Sequence, residues 1–203
     1  MLSRSSKRFL SVFFYDILMK INKIEIVAKT KWLVFKKSTY LDKANKERTW
    51  SYISRANDKK VVMIICRCMK TNKILFISQP RVTVNKKAIG FPGGLIEDDE
   101  SIEDAALREL KEETGYDAEI KSVSPLLAKS TGLSDESNYL VECVVDDHQV
   151  PESHQEPTED IEIFWKTPQE LVDLVDKLGS DEYIVENDAW SFILGFLFSK
   201  QCE

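Results

Sequence analysis

Residues 94–116 read GLIEDDESIEDAALRELKEETGY, and the fold turns on this stretch. Gly94 is followed by five residues and Glu100, then by seven residues and Arg108-Glu109-Leu110, Glu112-Glu113 and Gly115-Tyr116. The spacing predicts a helix over about 101–114. On it Glu109 and Glu113 are four residues apart and Glu112 is three from Glu109, so the three carboxylates share one face. Like charges held so close repel unless a cation sits among them. A hard divalent ion with oxygen ligands, Mg²⁺ above all, resolves that repulsion and leaves positions open for substrate phosphates and water.

Three glutamates on a helix usually mark only a solvated face, but the flanking residues argue otherwise. Gly93-Gly94, after Phe91-Pro92, permit a tight turn in which a backbone carbonyl approaches an ion. Glu100 is placed early in the helical stretch, near the positive end of its dipole. Arg108 can bond carboxylates and hold them in place. Gly115 suits the left-handed residue that ends a helix.

The segment resembles a complete Nudix box, the signature of hydrolases that cleave a nucleoside diphosphate linked to another moiety. The resemblance implies an α/β fold, an α/β/α sandwich with the box as loop–helix–loop. It also implies metal ligation by Glu109, Glu112 and Glu113 and by the Gly93 carbonyl, with Glu100 and Arg108 in structural roles. No box position is degraded, which favours an active, Mg²⁺-dependent enzyme with Mn²⁺ as a substitute.

Outside the box the chain of 203 residues is 43% hydrophobic, enough for one domain with an ample core and a short extra subdomain. Its net charge of −6 argues against a general nucleic-acid binder. Cys66 and Cys68, two apart in the apolar run VVMIICRCM, face one side of a strand; they, Cys143 and Cys202 fit neither a redox pair nor a zinc spacing. Buried free thiols in a reducing compartment are expected. His148 and His154 receive no role. The start, MLSRSSKRFLSVFFYDILMKINK, is basic, apolar and Ser-containing, as in a mitochondrial transit peptide or an amphipathic terminal helix. Its apolar stretches are too short to cross a membrane. The cytoplasm is the expected compartment and the mitochondrion the alternative.

The organisation expected is a leader or helix over 1–22, an antiparallel β subdomain over 23–57 and the hydrolase domain over 58–203. Strands are predicted at 24–29, 31–40 and 48–55 around the turn DKANKE, at 61–69 and 73–78, and near 118–128, 137–146 and 160–166. A Pro- and acid-containing loop spans 146–159. Helices are predicted near 168–178 and 187–199, the second with a nearly continuous apolar stripe that suggests deep burial or a subunit contact.

The substrate must be read from outside the box. Trp32 and Trp50 stand in the N-terminal strands, and an indole stacks well on a purine, although either could be a core aromatic. Arg81 ends a strand in Gln79-Pro80-Arg81 just upstream of the box, where it could grip a diphosphate. G-L-S-D-E follows at 132–136. Together with K-W at 31–32, S-T-Y-L-D at 38–42 and R-T-W at 48–50, this layout resembles the ADP-sugar (ADP-ribose) pyrophosphatase branch over about residues 30–197. That resemblance implies a homodimer with exchanged N-terminal strands, adenine held between Trp32 and Trp50 of two subunits, and substrate contacts from Arg55 and Arg81. Thr131 stands where that branch usually has Pro, and Ser51 where a Glu often follows the tryptophan. The branch takes its general base from the loop before a late strand, which places Glu159 at that position with Glu156 as the alternative. A pyrophosphatase for NADH, a dinucleoside polyphosphate or an oxidised nucleotide, and a non-catalytic ADP-ribose-sensing module, are the competing readings.

Overall fold

The computed structural model describes residues 19–146, 151, 160–177 and 181–201. Glu156, Glu159, His148, His154, Cys202 and most of the leader lie outside the described residues. The chain divides into two compact units. One comprises the residues up to Asp58 together with Lys129–Glu136; the other comprises Lys59–Ala128 and the residues from Ser137 onward.

The N-terminal unit is built on an antiparallel meander of β1 (Lys20–Lys29), β2 (Leu33–Leu41) and β3 (Glu47–Arg55). The β2–β3 turn is set by Asp42, whose carboxylate accepts from the Ala44 and Lys46 N–H groups, both at 2.9 Å, and from Arg48 Nε at 3.0 Å. Asn45 takes the positive φ of 56° that the turn requires, which asparagine tolerates well. Residues 129–136 line up beside β3: Ile53 N–H donates to Leu133 O at 2.9 Å and Asp135 N–H to Ile53 O at 3.3 Å.

The C-terminal unit holds a nine-stranded mixed sheet. Its strands are β4 (Val61–Cys68), β5 (Ile74–Arg81), β6 (Lys86–Gly90), β7 (Gly93–Leu95), β8 (Glu119–Val123), β9 (Leu127–Ala128), β10 (Ser137–Val145), β11 (Glu162–Lys166) and β12 (Tyr183–Val185). The helices are α1 (Ile102–Thr114), α2 (Pro168–Lys177) and α3 (Asn187–Gln201). β4 runs parallel to β10, with Cys66 opposite Cys143, and antiparallel to β7.

The alternation of β4 explains the layering. Val62, Ile64 and Cys66 point to one face, where they pack with Val141 and Cys143 of β10 and with Ala105, Ala106 and Leu110 of α1. Met63 joins the opposite core, with Phe76, Phe91, Leu171 of α2 and Ala189 and Ile193 of α3. A strand buried on both faces carries apolar residues at both parities, as VVMIICRCM does. The result is an α/β/α sandwich with the small antiparallel sheet as a separate unit. The buried thiols of Cys66 and Cys143 are free, and the hydrogen bond to Cys143, together with burial, pushes the Cys66 thiol up from its ordinary range.

Several elements differ from expectation. β1 begins at Lys20, and β6 and β12 were not anticipated. The single strand expected near 118–128 is two, interrupted at Ser124-Pro125, where proline supplies no N–H to a ladder. Gly93 and Gly94 lie in strand β7 rather than in a tight turn, and Glu100 precedes the helix instead of opening it. On α3, Ala189 and Ile193 are buried whereas Leu194 and Phe198 are exposed.

Candidate active site

Helix α1 starts at Ser101, an N-cap with extended backbone whose side chain accepts from the Asp104 N–H at 3.0 Å. It stops at Gly115, which takes a φ of 77° and donates its N–H to Lys111 O at 2.8 Å. These caps fix the helix phase, and with it the direction of every box carboxylate.

Arg108 organises the cluster. Its Nε donates to Glu100 Oε1 at 2.8 Å and its Nη2 to Glu100 Oε2 at 3.0 Å, a bidentate pair. Nη1 reaches Glu109 Oε1 and Glu112 Oε2, each at 3.0 Å, and Nη2 also donates to Leu95 O at 3.0 Å. Those five bonds match the five N–H donors of a guanidinium. The guanidinium, bonded to both oxygens, holds the Glu100 carboxyl at about 2, below its ordinary 4.5, and the Glu97 N–H works in the same direction. Glu100 in turn raises the Arg108 pKa. Lys59 pairs with Glu97, and Glu97 N–H donates to Glu100 Oε2 at 2.9 Å, so the loop before α1 is tied down from both ends.

Glu113 is buried at 5% exposure and accepts the Gly93 N–H at 2.9 Å on Oε2. Gly93 and Gly94 are needed for closeness: a Cβ on Gly93 would collide with the Val62 carbonyl, and one on Gly94 with the Glu109 carboxylate. The structure therefore brings Gly93, Glu109, Glu112 and Glu113 to the junction of α1 and β7.

The chemistry of this donor set fits a divalent ion. It offers hard oxygens on one helix face, against a backbone that only glycine allows so near. Among the described residues no three acidic, His or Cys side chains already converge on one point, because Glu109 and Glu112 turn to Arg108 and Glu113 to Gly93.

In the same unit Arg81 ends β5 and lies 3.7 Å from Glu186. In the N-terminal unit Arg55 Nε donates to Glu136 Oε1 at 2.7 Å, a partnership the sequence reading did not name. Trp32 and Trp50 are both exposed, at 65% and 50%, which removes the core reading within one chain. Lys31 Nζ sits 4.4 Å from the Trp32 ring centre. The ladder pairs Leu33 with Arg55 and Ser38 with Trp50. Trp32 is thus six residues along β2 from the partner of Trp50, on the order of 20 Å, too far for one base to stack on both. Trp50 lines a cavity of about 550 Å³ with Ile21, Tyr40, Tyr52 and Asp135.

The NUDIX domain family model matches residues 57–186. The chain is 30% identical to the ADP-sugar pyrophosphatase of Mus musculus over 171 residues, covering 79% of this chain and 78% of that one. It is 34% identical to the ADP-ribose pyrophosphatase of Saccharomyces cerevisiae over 187 residues, covering 84% and 79%. It is also similar to putative nudix hydrolase 2 of Caenorhabditis elegans, 31% identical over 188 residues and covering 86% and 84%. A crystal structure of an ADP compounds hydrolase superposes with a TM-score of 0.66 at 23% identity, covering 90% of this chain and 95% of that one, and so shares the fold. With its box assembled around Arg108 and these relatives across most of its length, the chain belongs to the Nudix hydrolases and is an enzyme related to the ADP-ribose and ADP-sugar pyrophosphatases.

Proposed function

We propose that this chain hydrolyses the diphosphate of ADP-ribose or a related ADP-sugar, giving AMP and ribose 5-phosphate, with Mg²⁺ as its metal and Mn²⁺ as a substitute. The observation that carries the reading is the carboxylate cluster around Arg108, intact at every box position. The names of the mouse and yeast relatives support the substrate class.

Glu109, Glu112, Glu113 and the Gly93 carbonyl hold the metal. When bound, such an ion neutralises charge on the diphosphate oxygens and acidifies the attacking water. Arg108 fixes Glu109 and Glu112 in direction, and the Gly93 N–H does the same for Glu113. Glu159, with Glu156 as the alternative, takes the proton of the attacking water. Arg81 grips the phosphates and Arg55 contacts the substrate. Trp50 and Trp32 stack on adenine, one from each subunit of a homodimer; their separation along β2 supports a partition between two chains. The exposed apolar residues Ile24, Ile26, Val27 and Phe35 of the same sheet suit burial by a second copy.

No helix among the described residues is long and apolar enough to cross a membrane. The free buried thiols suit a reducing compartment, and we place the protein in the cytoplasm.

The test is AMP release from ADP-ribose with Mg²⁺, run beside NADH, a dinucleoside polyphosphate and an oxidised nucleotide. ADP-ribose should give the highest kcat/KM, and no AMP from it at any Mg²⁺ concentration overturns the reading. Sedimentation at assay concentration should give twice the chain mass.

A further inference from the structure

The cavity beside Trp50 has one feature that stacking does not use. Its walls are mainly aromatic and aliphatic, with the hydroxyls of Ser38, Thr131 and Ser134 among them, and Asp135 is the one charged side chain lining it among the described residues. The cavity lies wholly within the N-terminal unit. Trp50 and Tyr52 share the β3 parity that faces it, and Ser38 and Tyr40 come from β2.

Asp135 is held there by three contacts. Its N–H donates to Ile53 O at 3.3 Å, the Ser54 hydroxyl donates to its Oδ2 at 2.6 Å, and Lys36 Nζ lies 3.7 Å from the same oxygen. Both side-chain partners engage Oδ2, and Oδ1 takes part in neither contact. Ser54 is 1% exposed, so the hydroxyl that aims the carboxylate is itself fixed by packing. Next to Trp50, meanwhile, stands Ser51, which brings no charge to the base-stacking position.

An ionised carboxylate accepts hydrogen bonds and donates none. A base stacked on Trp50 and offering an N–H along its edge would find that acceptor at the cavity wall, whereas a base lacking the N–H would forgo the bond and leave the half-exposed carboxylate to water. We infer that Asp135 is a specificity-determining residue that accepts the exocyclic amino group of adenine. The inference rests on the ADP-sugar reading and narrows it: selection for the base comes from the 132–136 segment as well as from the tryptophans.

The experiment is calorimetric binding of AMP and of purine riboside 5′-monophosphate, which is AMP without its 6-amino group, to the full chain. The wild-type protein should bind AMP about 2–10-fold more tightly, the net worth of one hydrogen bond to an acceptor that water can also reach. Asp135→Ala should bring the two ligands to near parity by weakening AMP alone. Ser54→Ala, which keeps the carboxylate and removes its fixed donor, should give an intermediate preference, and it serves as the second variant if Asp135→Ala does not fold. Equal wild-type affinity for the two ligands, an Asp135→Ala variant that keeps the preference, or no binding of either nucleotide overturns the proposal. Binding needs no turnover. A protein that does not cleave ADP-ribose yet prefers AMP through Asp135 therefore refutes the proposed reaction and not this site, and the converse pair of results refutes this site alone.

Discussion

The Gly93 N–H donates to Glu113 Oε2 at 2.9 Å, joining strand β7 to a carboxylate twenty residues later on α1. The bond aims a buried acid at the same backbone whose carbonyl is assigned to the metal. Glu113→Gln keeps the shape but places a neutral amide there, able to accept from Gly93 and poor at binding a hard cation. Activity should fall by more than about 100-fold, beyond the cost of losing an outer partner of a metal ligand, with the thermal midpoint little changed. Glu112→Gln should behave alike. Steady-state kinetics across a Mg²⁺ titration checks both, and near-normal rates in either variant would remove that residue from the metal site.

Arg108 is the residue whose loss should cost stability as well as rate. Arg108→Lys retains one charge but not the planar fork that serves Glu100, Glu109, Glu112 and Leu95 together. Since about a third of the side chain is exposed, the expected loss is a modest ~1–3 kcal/mol, read from urea unfolding.

The Glu100–Arg108 pair also gives stability a pH dependence of defined sign. The folded-state carboxyl lies at about 2 against an ordinary 4.5, so its contribution is complete above 4.5 and is lost as the pH falls toward 2. The urea midpoint should decline through that window in the wild-type protein. Glu100→Gln should start lower at neutral pH and decline less steeply; parallel profiles would mean that other carboxylates govern acid unfolding.

Trp50 is half exposed, so removing it should leave the fold intact. Trp50→Ala should raise KM for ADP-ribose by the equivalent of about 1–3 kcal/mol, the value of stacking one base on an aromatic ring. A lower kcat at unchanged KM would place Trp50 elsewhere in the cycle.

Glu159 lies outside the described residues, and kinetics must decide its part. Glu159→Gln should reduce kcat by roughly 10²–10⁴-fold with KM little altered, while Glu156→Gln is mild. Reversed effects would shift the base to Glu156.

The sequence was most legible where structure is local. The Gly115 stop of α1, its carboxylate face and the reach of Arg108 are all local, with partners within about eight residues, and the geometry agrees; the Ser101 cap, equally local, was not anticipated. Legibility failed where partners are remote. β12 exists because Tyr183–Val185 runs beside Lys87–Ile89, which no local pattern announces. Gly93-Gly94 has the composition of a turn, and only pairing with Val62 and Met63 makes it a strand. Arg55, which the resemblance makes a substrate contact, is bonded to Glu136, a partner far along the chain that no local pattern names. Asp135 carried no signal beyond its place in G-L-S-D-E, because its significance comes from Ser54 and the cavity.

The return of residues 129–136 to the edge of β3 has a consequence for how such proteins can be recombined. A gene fragment ending at Asp58 would leave both the N–H and the C=O of Ile53 without their partners Leu133 and Asp135, and the Ser54 hydroxyl without its carboxylate. The N-terminal unit therefore cannot travel as a cassette. A chimaera that takes residues 1–58 from one relative must take 129–136 from the same donor, and drift in either piece is constrained by the other although the whole of Lys59–Ala128 separates them.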